Sequence, residues 1–127
     1  MSSGSEYFIA VLPGDGIGKE VMASCLKVLE KIQERISGFC LCYNHFKAGA
    51  EFYLLSGVDI TDEDLRKVGE ADAILLGAMG LQNVRFPNGT EITPHLRIRT
   101  ELGLFAGLRP VKAYPNTPQP LSDRRAE

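Results

Sequence analysis

Apolar residues in this chain fall into two kinds of run, and their alternation predicts the architecture. Tyr7 to Leu12 (YFIAVL) is short and almost continuously apolar, the pattern of a strand buried on both faces in a parallel sheet. Pro13 to Gly18 follows as a glycine-rich turn. Lys19 to Ile36 then repeats at helical spacing, with Val21, Cys25, Val28, Leu29, Ile32 and Ile36 on one stripe. Ser37-Gly38 stops that helix, and Phe39 to Phe46 is a second strand. Ala48 to Leu55 reads as a helix closed by Ser56-Gly57.

The second half carries clearer punctuation. Thr61 to Glu70 is a helix whose start pairs Thr61 with Asp64 as a capping box, while Ile60 and Leu65 form a hydrophobic staple. Its acidic first turn suits the positive end of the helix dipole. Ala73 to Gly77 is a third buried strand, and Ala78 to Ile92 a long loop turning at Pro87-Asn88-Gly89. Thr93 is the N-cap and Pro94 the first position of a last helix, which Gly103 ends. Leu104 to Arg109 alternates like a fourth strand, with Phe105, Gly107 and Arg109 on one side. Strands alternating with helices predict an α/β fold whose largely parallel sheet is flanked by helices. The prolines at 115, 118 and 120 predict an extended tail over Tyr114 to Glu127.

Composition narrows the class. At 127 residues the chain fits one domain with a real core, and 44% hydrophobic content excludes disorder. The net charge of -2, with no basic cluster beyond Arg124-Arg125, argues against nucleic acid or an anionic membrane as partner. No apolar run approaches the roughly 20 residues of a membrane helix, and MSSGSE lacks the features of a signal peptide. Cys25, Cys40 and Cys42 are odd in number and read as reduced, buried thiols of a cytoplasmic protein. Cys40 and Cys42 share one strand face, a poor zinc spacing unless partners come from elsewhere, so core packing is the expectation.

Two features carry candidate chemistry. Arg99 and Arg109 stand at either end of a helix-to-strand passage, with His95 and Leu96 on the Arg99 face of the helix. Two planar guanidiniums brought together would suit a small acid with two carboxylates. Gly14-x-Gly16-x-Gly18 lies between a strand and a helix, but the dinucleotide fingerprint needs G-x-G-x-x-G, and no acid closes the second strand. A tight structural turn and a ligand loop remain equal readings of it.

Three ordered stretches resemble one family: LPGDGIGKEV from Leu12, ADAILLGAMG from Ala71, and LRIRTELGLFAGLRPVK from Leu96. Together they are similar to the isocitrate/isopropylmalate dehydrogenases, the β-decarboxylating dehydrogenases. The resemblance implies an isopropylmalate dehydrogenase-like three-layer fold, present in part, with residues 1–113 its N-terminal portion. It implies oxidation and decarboxylation of a malate-type 2-hydroxy acid with NAD or NADP and Mg2+ or Mn2+. By position, Arg99 and Arg109 would bind substrate carboxylates, and Ile92, Thr93, His95 and Leu96 would select the group on carbon 3. That stretch matches neither the isocitrate nor the isopropylmalate pattern throughout, so tartrate and D-malate also stay open. Gly14, Asp15, Gly16 and Ile17 would lie along the cofactor, with Ala78 and Met79 at its nicotinamide end. The family's third arginine, catalytic tyrosine and lysine, and metal-binding aspartates have no counterpart here, so no catalytic residue or metal ligand is assigned. The expectation is an N-terminal fragment, inactive alone, of a protein that is a homodimer when complete. A non-catalytic regulatory subunit of the same family and an unrelated flavodoxin-like binding domain are the competing readings. A fragment should also expose a sheet edge and apolar surface.

Overall fold

In the computed structural model, residues 4–112, 114 and 116–118 are described. The elements run β1 (Ser5–Leu12), α1 (Ile17–Arg35), β2 (Phe39–His45), α2 (Ala50–Ser56), α3 (Asp62–Gly69), β3 (Ala73–Leu76) and α4 (Pro94–Glu101). β1 is the middle of a parallel sheet of order β2-β1-β3. Glu6 pairs with Cys40 and Phe8 with Cys42 on one side, and Ala10 pairs with Ile74 on the other. The central position buries only the second half of the apolar run: Ala10, Val11 and Leu12 are fully buried, whereas Tyr7 and Phe8, expected to be buried on both faces, are exposed. The chain leaves β1 toward β2 and then crosses back past it to β3. Right-handed crossovers therefore put α1 on one face of the sheet and α3 on the other.

The core lies on the α3 face. Ala10 and Leu12 pack there with Ala48, Ile60, Leu65, Val68 and Ile98. α3 begins as its sequence dictates: the Thr61 hydroxyl accepts a hydrogen bond from the Asp64 N–H at 3.0 Å. Gly103, with φ +64°, follows the end of α4, and the Leu104 N–H returns to the Arg99 carbonyl at 2.8 Å. The 78–92 loop turns at Gly89 (φ +84°), closed by the Phe86 N–H to the Thr90 carbonyl at 2.9 Å.

Several expectations need correction. The third strand, expected to be buried, lies at the sheet edge with Ala73 and Leu76 exposed and Ile74 and Leu75 half-buried. α1 is turned from the expected stripe: Gly18 and Met22 are buried and Cys25, Leu26 and Leu29 half-buried, while Val21, Val28, Ile32 and Ile36 are exposed. The helix is apolar on two sides, and the sheet covers only one. Leu104 to Arg109 forms no strand, because no described strand offers it a ladder of hydrogen bonds; Phe105 is 95% exposed. Thr93 holds the N-cap position of α4, but its side chain caps nothing. Cys40 is exposed and Cys42 half-buried, since α3 covers only the far end of β2. Of the expected tail, Asn116 adopts φ +61° in a turn rather than an extended form. Residues 113, 115 and 119–127 lie outside those described.

Candidate functional site

The C-terminal ends of β1 and β3 lie side by side, and their loops touch backbone to backbone. A Cβ on Gly14 would sit 2.0 Å from the Ala78 carbonyl oxygen, and one on Gly77 would sit 2.0 Å from that of Pro13. Only glycine permits so close an approach. The Asp15 N–H donates to the Ala78 carbonyl at 2.8 Å. Gly14, Asp15, Gly16, Ile17, Ala78 and Met79 are thus gathered at one edge of the sheet, with Ile17 68% exposed there. This edge, where successive connections diverge from a central strand, is where open α/β sheets offer a crevice.

Asp15 builds that edge. It is 3% exposed. Its carboxylate accepts the N–H groups of Ala50 (2.8 Å), Glu51 (2.8 Å) and Gly80 (2.7 Å). α2 begins at Gly49, whose missing side chain cannot cap it. Asp15 supplies the cap from another element, and its charge faces the positive end of the helix dipole. Gly49 is required for the same reason: a Cβ there would lie 2.5 Å from the Asp15 Oδ2. The Asp15 side chain is therefore a clamp between three loops, which leaves backbone and the Ile17 side chain to face any ligand.

Three of the loop's donors, at Asp15, Gly16 and Gly18, are occupied by the protein's own acceptors. The Gly18 N–H reaches the Asp15 carbonyl at 2.8 Å, and the Gly16 N–H reaches the Glu51 Oε1 at 3.2 Å. Glu51 also pairs with the Lys19 ammonium, and these two contacts hold its carboxyl below the usual range. The Asp15, Gly16 and Gly18 N–H groups are thus spent on the protein's own acceptors rather than left for a phosphate. A cleft of about 500 Å³ opens beside the loop, lined by Pro13, Gly14, Lys19, Met22, Phe52 and Leu55 among others, and its walls are mostly apolar.

α4 presents the second group of candidates. Pro94 and Ile98 point inward and are buried. His95 is half-buried, while Leu96 and Arg99 are exposed, on the outward side. Thr93 is half-buried and Ile92 fully so, which removes the Ile92 side chain from any contact with a ligand. Arg97, which the sequence left unmarked, anchors the helix. Its guanidinium donates to the Ile60 carbonyl at 3.0 Å and the Asp59 Oδ1 at 3.3 Å, and pairs with Asp62. The bond to Asp62 and then that to Asp59 raise its pKa against the opposing effect of burial. No ion pair engages the Arg99 or Arg109 guanidinium among the described residues. Both are exposed, and no described contact joins them. His95, Leu96 and Arg99 do not line the cleft beside the glycine loop. The described carboxylates that reach α4, those of Asp59 and Asp62, are engaged by Arg97, so the Mg2+ or Mn2+ implied by the resemblance does not fit these residues.

Comparison with known proteins follows the same lines. A profile described as isocitrate/isopropylmalate dehydrogenase matches residues 8–127. The 3-isopropylmalate dehydrogenase of Xanthomonas oryzae pv. oryzae is 44% identical over 115 residues, covering 84% of this chain and 30% of that protein. The 3-isopropylmalate dehydrogenase of Bifidobacterium longum is 39% identical over 117 residues, covering 92% of this chain and 33% of its own. The structure is similar to the apo form of a β-decarboxylating dehydrogenase from Thermococcus kodakarensis, with a TM-score of 0.63 and 33% identity over 78% of this chain and 27% of that one. The chain spans about a third of the length of the curated relatives it matches.

Proposed function

The chain belongs to the isocitrate/isopropylmalate dehydrogenase family, and we propose that it forms the substrate-orienting portion of an NAD(P)-dependent dehydrogenase acting on a malate-type 2-hydroxy acid. The observation that carries this reading is the outer face of α4. It holds Arg99 with no carboxylate partner among the described residues, beside His95 and Leu96, and the family resemblance supports a substrate role for these positions. The Arg99 guanidinium would grip one substrate carboxylate bidentately, and Arg109 would reach the other. His95 and Leu96 would meet the group on carbon 3. Leu96 offers it an apolar wall and His95 a hydrogen bond, so a 3-isopropylmalate-like acid, a tartrate or D-malate, and isocitrate are the substrates to separate.

The division of labour follows from the geometry. Arg97 fixes α4 onto the loop before α3 and so sets where Arg99 points. Asp15 fixes the loops after β1 and β3, the surface on which a nicotinamide ring would rest. When bound, NAD or NADP would supply the hydride acceptor. These residues hold the acid at a set distance and angle from it, which accounts for a large share of the barrier in reactions between two bound partners. No described residue is assigned to proton transfer or to a catalytic metal, so the reading expects no turnover from this chain alone.

The test is a titration of the 15N-labelled chain with 3-isopropylmalate, D-malate, tartrate and isocitrate. The amides of His95, Leu96 and Arg99 should shift with one of these acids, and Arg99→Ala should abolish the shift. Acid binding that ignores Arg99→Ala, or no shift with any of the four, overturns the reading. In a parallel NAD or NADP reduction assay the chain by itself should produce no reduced cofactor with any of the acids. Clear turnover would refute its division of labour.

A further inference from the structure

The parallel pairing of β1 and β2 brings together three groups that the proposed dehydrogenase face does not use. Glu6 lies directly opposite Cys40, and Cys42 is two residues along on the same side of the sheet. The Glu6 carboxylate and the two sulfurs lie within 4.8 Å of one another. This supplies the partner that Cys40-x-Cys42 lacks when read as sequence alone. Both cysteines are free thiols, Cys40 exposed and Cys42 half-buried. The Cys42 Sγ–H donates to the Glu6 Oε1 at 2.9 Å, so the sulfur and the carboxylate already face each other.

We propose that Glu6, Cys40 and Cys42 form a binding site for a soft divalent cation, with zinc the best match. Two sulfurs select against Mg2+ and Ca2+, which take oxygen ligands. Two thiolates and one carboxylate on a tetrahedral Zn2+ leave one position for water, an open set rather than the closed four-ligand set of a zinc finger. Bond lengths of about 2.3 Å to sulfur and 2.0–2.2 Å to oxygen put ligand atoms roughly 3.5–3.8 Å apart around a tetrahedral ion, so the Cys42 and Glu6 atoms, now at 2.9 Å, would part slightly as the ion enters.

The chemistry balances simply. Each thiol gives its proton to solvent as its sulfur bonds the metal, while the carboxylate is already ionised. Two protons therefore leave per ion bound at neutral pH. The metal-free environment opposes the exchange. Hydrogen bonding to Glu6, with desolvation and the nearby Glu6 and Cys40 charges, pushes the Cys42 thiol up to about 11. A cation at the same point reverses that penalty, because it neutralises the charges that oppose ionisation.

Placement separates this site from the dehydrogenase chemistry. Glu6 is near the start of β1, and the glycine loop follows its other end at Leu12. Six residue steps at about 3.3 Å each put roughly 20 Å between them. A metal here would tie the beginnings of β1 and β2 together. Its role is to hold the sheet and to report thiol-reactive metals, not to polarise a substrate. It stands or falls independently of the substrate reading.

The test is titration of the reduced 127-residue chain, under a phosphine reductant, with Zn2+ and separately with Co2+. One equivalent should bind, with release of about two protons in weakly buffered solution. Co2+ should develop a sulfur-to-metal charge-transfer band in the near ultraviolet. Cys42→Ala and Glu6→Gln should each weaken Zn2+ binding by about tenfold or more, and Cys42→Ala should remove most of the band. Cys25→Ser should leave both unchanged, which guards against binding at the third thiol. At a hundredfold excess of free Zn2+ over Kd, the melting temperature should rise by roughly 5–10 °C, and at the same free Zn2+ that rise should fall to about half or less in Glu6→Gln if the fold itself is intact by circular dichroism. Binding that survives Cys40→Ala with Cys42→Ala, a band lost with Cys25→Ser, or no saturable binding to the native chain overturns the assignment.

Discussion

Removing the Asp15 carboxylate should be the most damaging single change to the site's scaffold. Asp15→Ala strips the acceptor from three N–H groups held at 2.7 to 2.8 Å. Ala50 is fully buried, so water cannot replace the lost bond there. The Glu51 and Gly80 amides are only partly covered, and water recovers part of their loss. A buried donor left without a partner costs about 1–3 kcal/mol, and the cap of α2 is among those lost. The sum is about 3–5 kcal/mol, a large fraction of the 5–15 kcal/mol that holds typical domains together. Asp15→Asn keeps the shape and one oxygen. That oxygen can serve Ala50 and Gly80, while the new amide group faces the Glu51 N–H donor to donor. Its cost should be about half as large. Urea titration followed by far-ultraviolet circular dichroism measures both. With a slope near 1.5 kcal/mol per molar, within the usual range, Asp15→Ala should lower the midpoint by roughly 2–3 M. If it instead leaves the native transition within about 0.5 M of its midpoint, or if the Asn variant is as damaged as the Ala variant, the clamp is misread. An unfolded Ala variant beside a folded, weakened Asn variant agrees with the account.

Two further outcomes follow from other contacts. Arg97→Ala should cost about 1–3 kcal/mol, because it leaves the Asp59 carboxylate, whose side chain is 12% exposed, without its guanidinium; amide exchange should speed up in α4 before α3, and Arg97→Lys should recover only part, lacking the planar fork. Alkylation of Cys42 by iodoacetamide should reach half its maximal rate only near pH 11, and Glu6→Gln should move that midpoint down. The sign for stability is equally definite: a thiol whose pKa is raised by folding stabilises the native state below the unfolded value near 9 and loses that contribution as pH climbs toward 11. A Cys42 profile centred on an ordinary thiol value would refute the contact with Glu6.

The sequence by itself determined what is local. Thr61 and Asp64 start α3, Gly103 ends α4 and Gly89 turns the long loop, because caps and positive φ angles are set within a few residues. The apolar run of β1 announced a strand, though only its last three residues, Ala10 to Leu12, are buried, and the ordered motifs marked the family. Other features required the chain to fold back on itself. Which of two apolar sides of α1 meets the sheet depends on what else is present to cover the helix, and Leu104 to Arg109 alternates like a strand yet has no described partner to pair with. Asp15 reads as one letter of a glycine loop, and its bonds to residues 35 and 65 positions away appear only in three dimensions. The same holds for Arg97 on Asp59 and for Glu6 opposite Cys40. A side chain's spacing along the chain fixes its direction on its own element, whereas its partner is fixed by the packing of elements that local sequence does not encode.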